Sequence, residues 1–183
     1  MARNVSFTSP NHPIHNKAHI TSIPNQGQRS NQCLSCLMDI IENINISKVQ
    51  RQVILGLLNS ALAEDKVVHL LASHSSDSYH LLCVLLEMYT DDLDRQTAAS
   101  LCVSLIQRLQ DETLYQIFME RFQSTVQSMP SGDSLKLCLT VMSQLCEISS
   151  MYSEMLIISN GIIEIHTSLT LCVDAYLTVG HMD

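Results

Sequence analysis

The sequence predicts an all-α fold, an armadillo- or HEAT-like helical repeat (α-solenoid) behind a disordered amino-terminal leader. Three observations predict it. Within Asp94 to Gln110, the residues Ala98, Leu101, Cys102, Leu105, Ile106 and Leu109 fall at i, i+3, i+4, i+7, i+8 and i+11, one continuous helical face. Leucine–cysteine stripes of the same kind recur on both sides of it, and a series of amphipathic helices can hide its stripes by stacking each on the next. Pairs at Leu82-Cys83, Leu101-Cys102, Leu137-Cys138 and Leu171-Cys172 lie 19, 36 and 34 residues apart. Two of these intervals suit a two- or three-helix repeat of about 34 to 47 residues. The Trp, Gly and Tyr pattern of tetratricopeptides and the TPLH of ankyrins are missing, which leaves armadillo or HEAT packing, with an irregular helical bundle as the competing reading.

Taken in order, residues 1–30 carry three of the four prolines, with His12, His15 and His19 and many Ser, Thr, Asn and Gln, too polar to form a stripe. A disordered leader is expected there and an armadillo-like domain over 31–183. The first helix is expected from Asn31, with Cys33, Leu37, Ile40, Ile41 and Ile44 on one side. After a short connection, Ser47 suits the N-cap of a second helix bearing Val49, Val53, Leu57 and Ala61. So short a connection implies antiparallel packing. Asp65 can cap a third helix that fades into the polar break Ser73 to Ser76. Asp77 can cap a fourth, with Tyr79, Leu82, Cys83, Leu86 and Tyr89 on one face.

The opening helix follows from about Leu93, after the acidic turn Thr90-Asp91-Asp92. A sixth starts near Asp111 and Glu112, where negative charge suits the positive end of the helix dipole, and aligns Leu114, Ile117, Phe118, Phe122 and Val126. Met129-Pro130-Ser131-Gly132 contains both helix breakers and marks a loop. Asp133 or Ser134 caps a seventh helix with Leu135, Cys138, Leu139, Met142, Leu145 and Cys146 inward. A short eighth covers Ser153 to Ile158. Asn160-Gly161 tolerates the left-handed backbone at a helix end, and a final β-branched-rich apolar segment is read as helical.

Composition bounds the function classes. With 183 residues there is material for one domain whose core is aliphatic: AVILMFWYC residues reach 46% while aromatics are 4%. Ten basic against eighteen acidic residues leave a formal charge of −8, which opposes unaided binding to a phosphate backbone. Direct nucleic-acid binding is therefore not expected. Seven cysteines, most beside leucines in apolar stripes, suit a reducing compartment. No stretch reaches the roughly eighteen uninterrupted apolar residues of a membrane span, and the first residues have no apolar signal region. An intracellular protein without membrane contact is expected.

Three constellations invite a chemical reading. Cys33-Leu34-Ser35-Cys36 is a CxxC, but no second CxxC or HxxxH follows at finger spacing, and packing inside a helical stripe explains it. His69, His74 and His80 with Asp77 straddle the break between the third and fourth helices, where loop polarity accounts for them, as a solvated tail accounts for His12, His15 and His19. Cys83, His80 and Glu87 make a nucleophile, base and acid on paper, yet Cys83 is expected in a buried stripe. The sequence has no GxxxxGK[ST], GxGxxG or GxSxG, and only five glycines. No enzyme, cofactor, metal or small-molecule substrate is expected.

The stretches CLSCLMDIIENINISKVQRQVILGLLNSAL, VVHLL, QTAASLCVSLIQRL, VQSMPSGDSLKLCLTVMSQLCEI and SEMLIISNGII, in this order, resemble the amino-terminal region of the meiosis inhibitor protein 1 family. The likeness covers about Cys33 to Ile163. It is most specific at the Cys-Leu-x-Cys opening, the Met129-Pro130-Ser131 loop and the Ser153 to Ile163 connection. What it implies is an armadillo-like nuclear scaffold for gametogenesis. Such a scaffold supports programmed double-strand breaks and homologous chromosome synapsis through other proteins, meiotic break-formation factors among them. It brings no catalytic residue. The family's greater length implies that this chain is the amino-terminal part of a longer solenoid, an isoform or a truncated gene model. CLSCLMDIIENINIS is also similar to the start of the armadillo region in the cancerous inhibitor of protein phosphatase type two-A, which implies a cytoplasmic phosphatase or signalling adaptor as the alternative.

Overall fold

Burying the apolar stripes winds the chain into eight α-helices among the described residues. They are α1 Leu34–Ile41, α2 Lys48–Leu62, α3 Asp65–Ser73, α4 Ser75–Leu86, α5 Asp92–Leu109, α6 Glu112–Gln127, α7 Gly132–Ile148 and α8 Ser150–Ile158. Helical turns follow at 161–163, 165–167 and 169–171. The computed structural model describes residues 21–24, 31–43, 45–127, 132–163, 165–167 and 169–171. It divides into two compact units, Met1–Val84 and Leu85–Asp183.

The all-α class holds, with one addition at the amino-terminal side. The backbone of β1, Thr21–Pro24, pairs antiparallel with β2, Asn31–Cys33, inside and beside the segment expected to be a leader. Thr21 and Ile23 are β-branched and favour the extended backbone. Helix α1 therefore starts at Leu34 instead of Asn31, and Cys33 belongs to a strand. His12, His15, His19, Ile44, the Met129-Pro130-Ser131 loop and the chain after Leu171 lie outside the described residues.

In the first unit, α1 packs on α2 and α2 on α3. The entry to α2 is fixed by a capping box: the Ser47 hydroxyl accepts from the Gln50 amide, and the Gln50 side chain accepts from the Ser47 amide. The buried face of α2 is not the expected one. Ile54, Leu55, Leu58, Ala61 and Leu62 face inward, while Val49 is 71% and Val53 45% exposed. Apolar residues run nearly unbroken from Val53 to Leu58, so two overlapping stripes were available, and the one with the larger side chains is buried. Helices α3 and α4 are separated by His74 alone, because the Ser78 hydroxyl, 1% exposed, donates to the Leu71 carbonyl at 2.8 Å and closes the break. Asp65 and Asp77 consequently sit inside first turns instead of capping them.

In the second unit, Asp91 caps α5 by accepting from the Leu93 amide, and Gln110, in the left-handed conformation at φ 49°, ends it. The expected α5 stripe is buried from Ala98 to Ile106, with Leu109 half-buried. Helix α7 packs on α5, α6 and α8. Three neighbours demand a wider apolar face than the predicted stripe, so Leu137 and Val141 are fully buried as well, and Leu139 and Cys146 are only half-buried. At the end of α8, Asn160 adopts φ 59° as its residue type suggests.

Leu105 lies at 0% exposure at the centre of α5. Replacing it with Asp places a carboxylate in this apolar packing and is expected to cost about 4 kcal/mol in urea unfolding. An unchanged unfolding midpoint would make α5 peripheral.

Candidate functional site

The second unit is organised by one buried cation. Arg95, in the first turn of α5, has its side chain 8% exposed and donates to Asp133 Oδ1 in the first turn of α7 at 2.7 Å. It also donates to the Tyr89 carbonyl at 3.3 Å and pairs with Asp92. One guanidinium fork thus ties the α5 entry turn to the start of α7, which its fixed donor geometry suits. Because the tie joins two helix starts and the helices pack on each other, α5 and α7 run parallel, and α6, which connects them in the chain, packs on α7.

A second parallel pair follows from aromatic contacts. Tyr115, in the first turn of α6, meets Tyr152, in the first turn of α8, with ring centroids 5.6 Å apart, and its hydroxyl donates to the Tyr152 carbonyl at 3.4 Å. Four residues further along each helix, Met119 and Leu156 both approach Gly161 closely enough that a Cβ there would sit 3.0 and 2.2 Å from their ends. Burial raises the Tyr115 hydroxyl from 10.0 to about 12, with smaller contributions from Cys146 and Tyr152. It therefore stays a hydrogen-bond donor throughout the physiological range.

Helices α6 and α8 each rest on α7, and the space between them is spanned by side chains. This leaves a groove. One part, of about 470 Å³, lies between the α5–α6 turn and the start of α8 and is lined by Asp111, Glu112, Tyr115, Ile148, Met151 and Met155 among others. The next part, of about 310 Å³, shares Tyr115 and Met155 and continues along Met119, Glu120 and Ile158. Asp111, Glu112 and Glu120 are its charged lining residues, and no lysine, arginine or histidine is among the described residues lining either part.

The sequence-derived constellations are placed elsewhere. The CxxC is split between strand and helix, Cys33 in β2 and Cys36 buried in α1. His69 and His74 are exposed, and His80 pairs through Nε2 with Glu42 Oε1 at 2.8 Å. Among the described residues no three His, Cys, Asp or Glu side chains are gathered to hold a metal. Cys83 is exposed, correcting the expectation that it lies in a buried stripe. The run Leu81 to Leu86 is apolar on every side, and burial selects Leu81, Leu82, Val84, Leu85 and Leu86. Glu87 pairs with Arg121, so the paper triad has its base and its acid engaged with other partners. The sequence reading missed the groove, whose two walls lie about forty residues apart in the chain; Tyr115 and Tyr152, each in the first turn of its helix, were the one available clue.

Fold and site together define an all-helical domain whose notable surface is a groove between parallel helices, and among the described residues no helix is long and apolar enough to cross a membrane. The family model described as meiosis inhibitor protein 1 N-terminal domain matches residues 32–172, and the chain belongs to this family. It is accordingly a meiosis-related protein. No curated protein and no solved structure matches the chain.

Two outcomes follow from this geometry. Arg95→Ala is expected to cost about 2 kcal/mol in denaturant unfolding, since it removes the buried stem's packing and the tie to the Tyr89 carbonyl and Asp133, whose carboxylate is itself exposed and stays hydrated, while Arg95→Lys keeps the charge, loses the fork and costs about 1 kcal/mol. Equal stability of both variants with the parent would show that the tie is ornamental. Site-resolved alkylation at pH 8 is expected to modify Cys83 well before Cys102 and Cys138, which are 0% and 2% exposed. Burial also pushes the Cys138 thiol from 9.0 up to about 11, against the opposing Thr125 hydrogen bond and Arg121 charge. Below that value the reactive thiolate is scarce.

Proposed function

We propose that the domain is a non-enzymatic interaction scaffold of the meiotic nucleus, supporting programmed double-strand break formation and homologous chromosome synapsis during gametogenesis. The family match over residues 32–172 carries this reading. Its partners are other proteins, break-formation factors among them, met through helix surfaces and not through bound nucleic acid, membrane or a small-molecule substrate.

Two structural observations support the scaffold part. The parallel pairs α5 with α7 and α6 with α8 are the arrangement expected of stacked armadillo- or HEAT-type helical hairpins, whose outer faces remain free for partners. The exposed Cys83 has neither His80 nor Glu87 to activate it, since each pairs with another residue.

A germline null is expected to show fewer recombinase foci and incomplete synapsis in meiotic prophase. Restoration by a Cys83→Ser transgene is the expected second result. Normal foci and synapsis in the null would remove the meiotic role, and failure of the folded Cys83→Ser protein to restore them would restore an enzymatic one.

A further inference from the structure

We propose that the groove between α6 and α8 receives a basic amphipathic helix of a protein partner, an inference that rests on the interaction-scaffold reading. Its walls are two rows at helical spacing: Tyr115, Met119 and Gln123 on α6, and Met151 and Met155 on α8 continued by its C-cap Ser159, each row at i, i+4 and i+8. Parallel rows of this kind make ridges between which a third helix can lay its own ridge, over about two and a half turns.

The chemistry of the walls is that of a surface built to accept a helix. Methionines adapt to irregular apolar side chains, and helix-in-groove recognition depends on apolar anchors at i, i+3, i+4 and i+7. Met151 is 45% and Ile158 80% exposed, so apolar area stands open to solvent near both ends of α8. The Tyr115 and Tyr152 rings are buried against each other, and the Tyr115 hydroxyl donates to the Tyr152 backbone carbonyl, which ties the two walls at the groove floor.

Charge chooses the occupant. Asp111, Glu112 and Glu120 are the ionisable carboxylates lining the groove, with no base among its described lining residues, on a chain of formal charge −8. A helix flanked by Lys or Arg gains attraction on approach and pairs at the rim. An acidic helix is repelled, and so is a second copy of this chain presenting the same acidic rim.

The test uses the full chain and two fluorescent synthetic helices of about sixteen residues, matching the length of α6. Both carry Leu at i, i+3, i+4 and i+7; one has Lys at the remaining positions and the other Glu. By anisotropy the Lys helix is expected to saturate and the Glu helix not to bind. Glu112→Lys with Glu120→Lys should weaken the Lys helix about tenfold or more, whereas Asp39→Lys with Glu42→Lys, the same charge change in the other unit, should shift it by about twofold at most. Ile158→Ser, at an exposed position, should weaken it as well, and circular dichroism checks that each variant stays folded. Equal loss in both double variants, equal binding of the two helices, or self-association abolished by Ile158→Ser would each overturn the proposal. None of these results alters the meiotic counts, and a normal null meiosis would leave the peptide result standing, so the two readings fail separately.

Discussion

A buried guanidinium sets the geometry of the second unit. Leucine stripes alone define a helix's inward face but not how far one helix slides along the next, since aliphatic contacts are nearly equivalent over a shift of one turn. Arg95 removes that freedom. Its fork reaches Asp133, thirty-eight positions away in the chain, and the Tyr89 carbonyl just before the helix that carries it. Slipping α7 by one turn would move Asp133 by about 5 Å and leave a charge buried with too few partners, at a cost of several kcal/mol. Register is thereby specified by a polar contact, while adhesion comes from the apolar faces.

The same contact explains why the Leu-Cys spacing carried information. Leu101-Cys102 and Leu137-Cys138 lie six and four residues beyond the tied positions Arg95 and Asp133, so on two parallel helices they come to nearly the same level. Cys102 and Cys138 are both buried there, small enough for the backbones to approach. The neighbouring pair Leu82-Cys83 has no such role, and its cysteine is exposed. The 36-residue interval therefore coincides with the packing of α5 on α7, and the Leu82-Cys83 interval matches no such pair.

Legibility followed the sharpness of each stripe. In α5 and α6, polar residues separate the apolar ones cleanly, and the predicted faces are buried apart from Leu109 and Ile117, which are half-buried. In α2 and α4 the apolar residues are contiguous, so periodicity admits faces one position apart, and the choice falls to packing that no local pattern encodes. The serine at position 78 shows the same limit from the polar side. Its side chain reads as part of a soluble break until Leu71 supplies an acceptor seven residues earlier, which turns the break into a one-residue joint. The ribbon of β1 and β2 escaped notice because three or four residues are too few for an alternating pattern to stand out.

The groove was invisible for a different reason. Each of its walls, read alone, is an ordinary amphipathic helix with methionine and isoleucine at its margin. Only when α6 and α8 are both set on α7 do Met119, Met155 and Ile158 become neighbours, and only then do Asp111, Glu112 and Glu120 fall on a common rim. Scattered acids look like a solvated surface in the sequence because they are solvated. What distinguishes these three is that the apolar area beside them remains open, so charge and hydrophobic surface act on the same approaching helix instead of on separate faces. The constraint that produces this is again geometric: parallel stacking with a shared central helix keeps the outer pair too far apart to close on each other and near enough to be bridged by one more helix.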